Sequence, residues 1–171
     1  SDNIILATAQ GMAICFNETD VRCMGRDAGG VRGISLNEGD YVVGAERYEE
    51  GKTLLTVTEN GYGKRTNLPE YLRTGPDGEK IPQSRGGKGL KNYNITPKTG
   101  NIAGCRVVGD NDDVMLIENG GVIIRIPASS INVYKRDVQG VIVMRIDEGN
   151  KVVSIERVEQ EETQETQENP E

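Results

Sequence analysis

The residues in this chain best suited to chemistry are cations set among glycines. The stretch Gln83-Ser84-Arg85-Gly86-Gly87-Lys88-Gly89, followed by Lys91, is the densest case. Gly86 and Gly87 let backbone N–H groups come close to an oxyanion while Arg85 and Lys88 neutralise it, which is phosphate-binding chemistry. It is not a nucleotide-binding P-loop. That motif needs Gly-Lys followed by Ser or Thr, and here Gly89 follows Lys88. Read alone, the loop is equally a solvated turn. Further candidate phosphate contacts are Arg26, Arg32, Lys64, Arg65, Lys135 and Arg136, each of which could singly be a surface charge. Catalytic arrangements are missing. The chain has no histidine, so a His-based triad and His-ligated zinc are excluded, and no paired-carboxylate motif stands out. Cys15, Cys23 and Cys105 lack CxxC spacing, so neither a metal site nor a disulfide framework is expected. No catalytic residue, metal or cofactor is assigned. The tyrosines Tyr41, Tyr62, Tyr71 and Tyr93 are expected to pack against core or rim rather than stack on bases.

The net charge of −7 argues against a polyanion-binding surface until it is divided along the chain. Residues 159–171 hold six glutamates and no Lys or Arg, leaving 21 acidic and 20 basic residues in the other 158. A near-neutral body binds phosphate when its cations gather on one rim. The acidic segment has no apolar residue to offset the ~1–2 kcal/mol per residue lost on ordering a backbone, so it is expected to be disordered. Tethered carboxylates compete with phosphate for a basic rim. Ending the chain at Val158 is therefore expected to raise affinity for a polyanion at low salt, which a binding titration of the two chain lengths checks. No stretch approaches the roughly 20 apolar residues that span a bilayer, and no signal peptide opens the chain, so a reducing cytoplasm is the expected setting.

The elements that must position the cations repeat. An apolar run, a Gly-centred turn and a second strand-like run recur as IILATAQGMAICF from Ile4, LLTVTENGYGKRT from Leu54 and VMLIENGGVIIRI from Val114. Their turns, Ala9-Gln10-Gly11, Glu59-Asn60-Gly61 and Glu118-Asn119-Gly120, lie 50 and 59 residues apart. Asn-Gly between β-branched runs predicts hairpins whose two central residues both take positive φ. Each copy continues to a Gly before an aliphatic residue (Gly33, Gly89, Gly140) and closes on EGDYVVGAERY, KTGNIAGCRVV or EGNKVVSIERV. Residues 74–82 of the middle copy form an insertion whose Gly and Pro predict a surface loop, and the Pro69-Glu70-Tyr71-Leu72 stretch predicts a short helical turn. About 50 residues with four short strands per copy is the size of a propeller blade. The expected fold is all-β, with propeller-like blades of antiparallel strands over 3–48, 52–108 and 112–158, rather than a sandwich.

Three stretches carry a resemblance: VRCMGRDAGGVRGISLNEGDYVVG (residues 21–44), TENGYGKRTNLPEY (58–71) and DVQGVIVMRIDEGNKVVSIERV (137–158). The chain resembles the C-terminal DNA-wrapping domain of the DNA gyrase A subunit, of the bacterial type IIA topoisomerases, over residues 3–158 and in its acidic end. The resemblance implies a six-bladed β-pinwheel with strands exchanged between blades, of which this chain carries the last three. It implies double-stranded DNA, bound without sequence preference through its phosphates and bent around a basic rim. It also implies two protein partners in an A2B2 complex, the rest of the gyrase A polypeptide and the gyrase B ATPase, in a bacterial, nucleoid-associated setting. ATP-dependent negative supercoiling belongs to that whole enzyme, and this fragment is expected to be non-catalytic.

Two departures bear on the site. The family's hallmark box reads QRRGGKG and lies in the first blade, which is not among these three; QSRGGKG at 83–89 has Ser84 where an Arg stands. The cation matching Lys88 is Arg32 in the first copy and is replaced by Gln139 in the last. The last blade is therefore expected to contribute least through this loop, with Lys135 and Arg136 just upstream. The alternatives are the matching domain of topoisomerase IV and a propeller used as a protein-interaction scaffold.

Overall fold

The computed structural model describes residues 2–159; the expectation of disorder for the acidic segment falls almost entirely outside them. Thirteen strands and three short 3-10 turns make up the regular structure of these residues. In chain order the strands are β1 (Asn3–Thr8), β2 (Met12–Asn17), β3 (Val42–Arg47), β4 (Thr53–Thr58), β5 (Tyr62–Asn67), β6 (Arg73–Thr74) and β7 (Lys80–Ile81). There follow β8 (Leu90–Lys91), β9 (Ile102–Val108), β10 (Asp113–Glu118), β11 (Ile123–Pro127), β12 (Val141–Ile142) and β13 (Val152–Val158). The insertion folds into the small hairpin β6–β7, and the proline-bearing stretch is a 3-10 turn over Leu68–Tyr71.

Each copy supplies an antiparallel three-stranded sheet, β3-β1-β2, β9-β4-β5 and β13-β10-β11, and the fourth strand comes from the next copy. β8 of the second copy lies on β2 of the first, with Met12 opposite Lys91 and Ala13 opposite Leu90. β12 of the third copy lies on β5 of the second, with Val141 opposite Gly63 and Ile142 opposite Tyr62. A blade is thus not a continuous stretch of sequence. The register breaks at the same place in every copy, at Ala7/Thr8, Val57/Thr58 and Ile117/Glu118, so the repeat extends to its bulges.

The hairpin turns differ from expectation. Among the described residues no non-glycine has positive φ; the turns place Gly11, Gly61 and Gly121 there, at φ of 90°, 87° and 94°. Gly61 N–H donates to Thr58 O at 3.1 Å. This is a three-residue loop, a type I turn closed by one left-handed glycine, so Asn60 needs no positive φ. In the third copy Gly121 fills that role, one residue later than the Asn119-Gly120 pair.

At the inner end of the blades β9 packs between β3 and β13. They line a cleft of about 280 Å3 in which Arg106 Nη1 meets Glu46 at 3.4 Å and Nη2 meets Glu156 at 2.9 Å, tying three blades together. β8 and β12 are therefore outermost. The middle blade is covered on both faces, so every residue of β4 and all of β5 but Asn67 are buried. β11 alone among the outer hairpin strands receives no donated strand from the described residues, and Val122 and Ile123 beside that edge are exposed. An open edge with apolar flanks pairs readily with another chain. The isolated chain is expected to self-associate as its concentration rises, and a strict monomer in sedimentation would count against this.

Candidate nucleic-acid interface

The loop at residues 83–89 does not project freely. Gln83 N–H donates to Cys15 O (2.7 Å), Gly86 N–H to Gly33 O (2.8 Å), and Gly87 O accepts from Ser35 N–H (2.8 Å). It is a latch that leads β8 onto the neighbouring blade. A Cβ on Gly89 would sit 2.2 Å from Ala13 O, and one on Gly140, before β12, 2.4 Å from Gly63 O. These glycines are needed for blade-to-blade contact, a reason the phosphate reading of the loop does not include.

The third copy uses the same device. Tyr134 N–H donates to Arg65 O at 2.8 Å, as Gln83 does to Cys15, so the sequence YKRDVQG (134–140) stands where QSRGGKG stands. Arg136 thereby matches Arg85 and Lys135 matches Ser84. Counting six residues back from Gly140, as from Gly89 to Gln83, would have found this alignment in the sequence. Both arginines reach back to the preceding copy. Arg85 donates through Nη1 to Arg32 O (2.6 Å) and through Nε to Asp20 O (3.2 Å), while Arg136 Nη1 donates to Lys91 O (2.6 Å). The loops of the three copies therefore form one continuous row along the outer end of the blades. On it Arg32, Lys88, Lys91 and Lys135 present cations, while Arg85 and Arg136 have their guanidiniums partly engaged. Arg26 is exposed on the segment leading into this row.

Lys64 and Arg65 correct the expectation of surface phosphate contacts. Lys64 is 0% and Arg65 6% exposed, because β5 lies inside the covered middle blade. Arg65 donates through Nε to Ile131 O (2.6 Å) and pairs through Nη1 with Asp110 (2.7 Å). Lys64 Nζ donates to the carbonyls of Lys135 (2.9 Å) and Arg136 and lies 5.1 Å from the centre of the Tyr93 ring. Burial lowers its pKa to about 8. Both are inter-blade ties. Tyr62, Tyr71 and Tyr93 are buried and Tyr41 is exposed. Desolvation pushes the Cys15 and Cys105 thiols up to about 12, which leaves them unreactive. No group of three or more metal-ligating side chains occurs among the described residues, and no helix there is long and apolar enough to cross a membrane.

Comparison with known proteins agrees with this geometry. The family model described as DNA gyrase C-terminal domain, beta-propeller, matches residues 2–48, 52–109 and 112–159. Among curated relatives, the gyrase A polypeptide of Staphylococcus epidermidis is 40% identical over 162 residues, 94% of this chain and 17% of its own length. That of Escherichia coli is 38% identical over 159 residues, 93% of this chain and 17% of its own. The chain thus spans about a sixth of these relatives. Of solved structures, the C-terminal domain of DNA topoisomerase IV matches with TM-score 0.81 at 28% identity, covering 92% of this chain and 47% of that one. A DNA gyrase A C-terminal domain matches with TM-score 0.80 at 29% identity, covering 91% and 50%.

Proposed function

The chain belongs to the DNA gyrase C-terminal domain family, and on that premise we propose that its outer rim binds and wraps duplex DNA through the phosphate backbone. One observation carries the reading: three consecutive loops joined into a single row that presents Arg32, Lys88, Lys91 and Lys135 to solvent. A continuous cationic track neutralises successive phosphates and carries no base-reading geometry, so it binds any sequence and favours a bent path. The chain covers half of the solved gyrase domain, which supports three blades of a six-bladed disc. The remainder of the gyrase A polypeptide, the gyrase B ATPase, the bacterial cytoplasm and ATP-dependent supercoiling follow from membership in that larger enzyme, to which this piece contributes binding rather than chemistry.

Fluorescence anisotropy with a duplex of about 40 base pairs, at several salt concentrations, tests the proposal. Affinity is expected to fall linearly on a log–log plot, by about 0.9 per phosphate neutralised. Lys88→Ala is expected to reduce that slope by about 1, and adding Arg85→Ala to bring the reduction to about 2, equally for any DNA sequence. A loss confined to one sequence would sink backbone recognition.

The topoisomerase IV match is equally close in structure, and whether the parent enzyme introduces negative supercoils into relaxed DNA separates the two. The scaffold reading has its own observation: where β8 presents Lys91, β12 presents the exposed apolar Val141 and Ile142. It predicts partner binding indifferent to salt.

A further inference from the structure

On the second hairpin strand the two outer blades share an isoleucine at the position where the middle blade carries a lysine. Leu6 faces Ile14 in the first blade and Leu116 faces Ile124 in the third, whereas Thr56 faces Lys64 in the middle. An ammonium in place of an isoleucine is costly inside a covered blade, and propeller packing does not require it. Its donors instead meet the backbone carbonyls of Lys135 and Arg136, with the Tyr93 ring 5.1 Å away. The same loop is held at two further points. Glu70 Oε1 accepts from Arg136 N–H at 3.1 Å, and Arg65 N–H donates to Asn132 O at 3.0 Å.

We propose that Lys64 is a positioning residue for DNA wrapping: from inside the middle blade it fixes the loop that aims Lys135 and Arg136 at the rim. The proposal rests on the DNA-binding reading above, but its local part does not. Two carbonyls converging on one ammonium define the height of the loop above the blade. Ile14, at the matching place under the first latch, has no polar group to offer and leaves that loop to Ser35 and Arg85. The third latch has Asp137 and Val138 in place of the two glycines and Gln139 in place of the cation, so it depends on Lys64 to keep its remaining cations in line with Lys88 and Lys91. A fully buried lysine releases no counterion of its own. Any change in salt slope on replacing it must act through other residues.

The test uses the full chain with Lys64→Met, and Lys64→Ile in case the first variant folds poorly, since Ile is the residue the sister blades carry. Against the duplex of about 40 base pairs, affinity at about 0.1 M salt is expected to fall about tenfold and the salt slope to become shallower by about 1. Hydrogen exchange of the amides at 134–138 is expected to accelerate while that of β4 and β9 is unchanged. Added to Lys135→Ala plus Arg136→Ala, the Lys64 substitution is expected to change the slope no further. A folded Lys64 variant with wild-type slope and wild-type exchange at 134–138 overturns the proposal. Wild-type protein without salt-dependent DNA binding would overturn the DNA reading instead, and the exchange measurement would still decide whether Lys64 holds the loop.

Discussion

Gly61→Ala is expected to lower the melting temperature by about 10 °C, far more than the same change at Gly121. Both glycines close a hairpin turn with positive φ, 87° and 94°, where an alanine loses about 1 kcal/mol or slightly more. They differ in what lies over the turn. A Cβ on Gly61 would stand 2.0 Å from Met144 O, whereas one on Gly121 would meet nothing within 4 Å. Gly61 O also accepts from Val143 N–H at 2.8 Å and Met144 N–H at 3.2 Å, so the turn seats the chain that leaves the donated strand β12. Moving that segment away detaches β12 from β5 and opens the packing around Met144. The combined loss is about 3–5 kcal/mol, at the upper end of single-substitution effects. For a chain of this size each kcal/mol shifts the midpoint by roughly 2–4 °C. Thermal unfolding of the two variants side by side checks it. Equal losses would mean that the seat for the exchanged strand contributes nothing to stability.

Strand exchange marks the boundary of what local sequence signals made legible; it was expected from the family resemblance alone. Turn glycines, Val/Ile/Leu runs and a spacing near 50 residues are local signals, and they point to hairpins, copies and the blade-like class. Which sheet the short run after Gly89 or Gly140 joins is decided by geometry between copies, which local periodicity does not encode. The same cause misplaced two site residues. Lys64 and Arg65 sit on a strand reading Tyr-Gly-Lys-Arg-Thr, and such polarity predicts an exposed face when only one neighbour is imagined. The middle blade has two neighbours, so both side chains are enclosed and find backbone carbonyls instead. Arg85 was legible as a cation beside glycines. Its bonds to Asp20 O and Arg32 O were not, because the partners lie 65 and 53 residues away. The loop of the third copy was half legible: Gln139 marks the missing cation, while the alignment of Arg136 with Arg85, open to counting back from Gly140, is fixed by the shared backbone pairing.

Stability is expected to rise between about pH 8 and 10.5 by roughly 3 kcal/mol relative to a Lys64→Met variant of the same chain. Burial is the main reason that Lys64 holds its proton less tightly when folded; the carboxylates of Glu70 and Asp137 and the Cys105 thiol pull the pKa back up, while Arg136 adds to the lowering. The folded pKa is about 8 and the ordinary value 10.5, so between them the unfolded chain binds more protons than the folded one. Stability therefore increases with pH through this window, and the penalty for enclosing the ammonium is fully present below it. Other buried groups act in the opposite direction. The Cys15 and Cys105 thiols, raised to about 12, keep their protons when folded and erode stability above about pH 9, and the raised Tyr71 and Tyr93 phenols do so above about pH 10. The difference between the two proteins cancels these contributions and isolates Lys64. Urea unfolding of both at about pH 7, 8, 9 and 10 supplies the measurement. A difference that stays flat across the series would show that Lys64 has an ordinary pKa and is not enclosed as the structure describes. A difference that changes in the wild type's favour places a charged lysine under strain at neutral pH, the condition expected of a side chain retained for the loop it holds rather than for the stability of its blade.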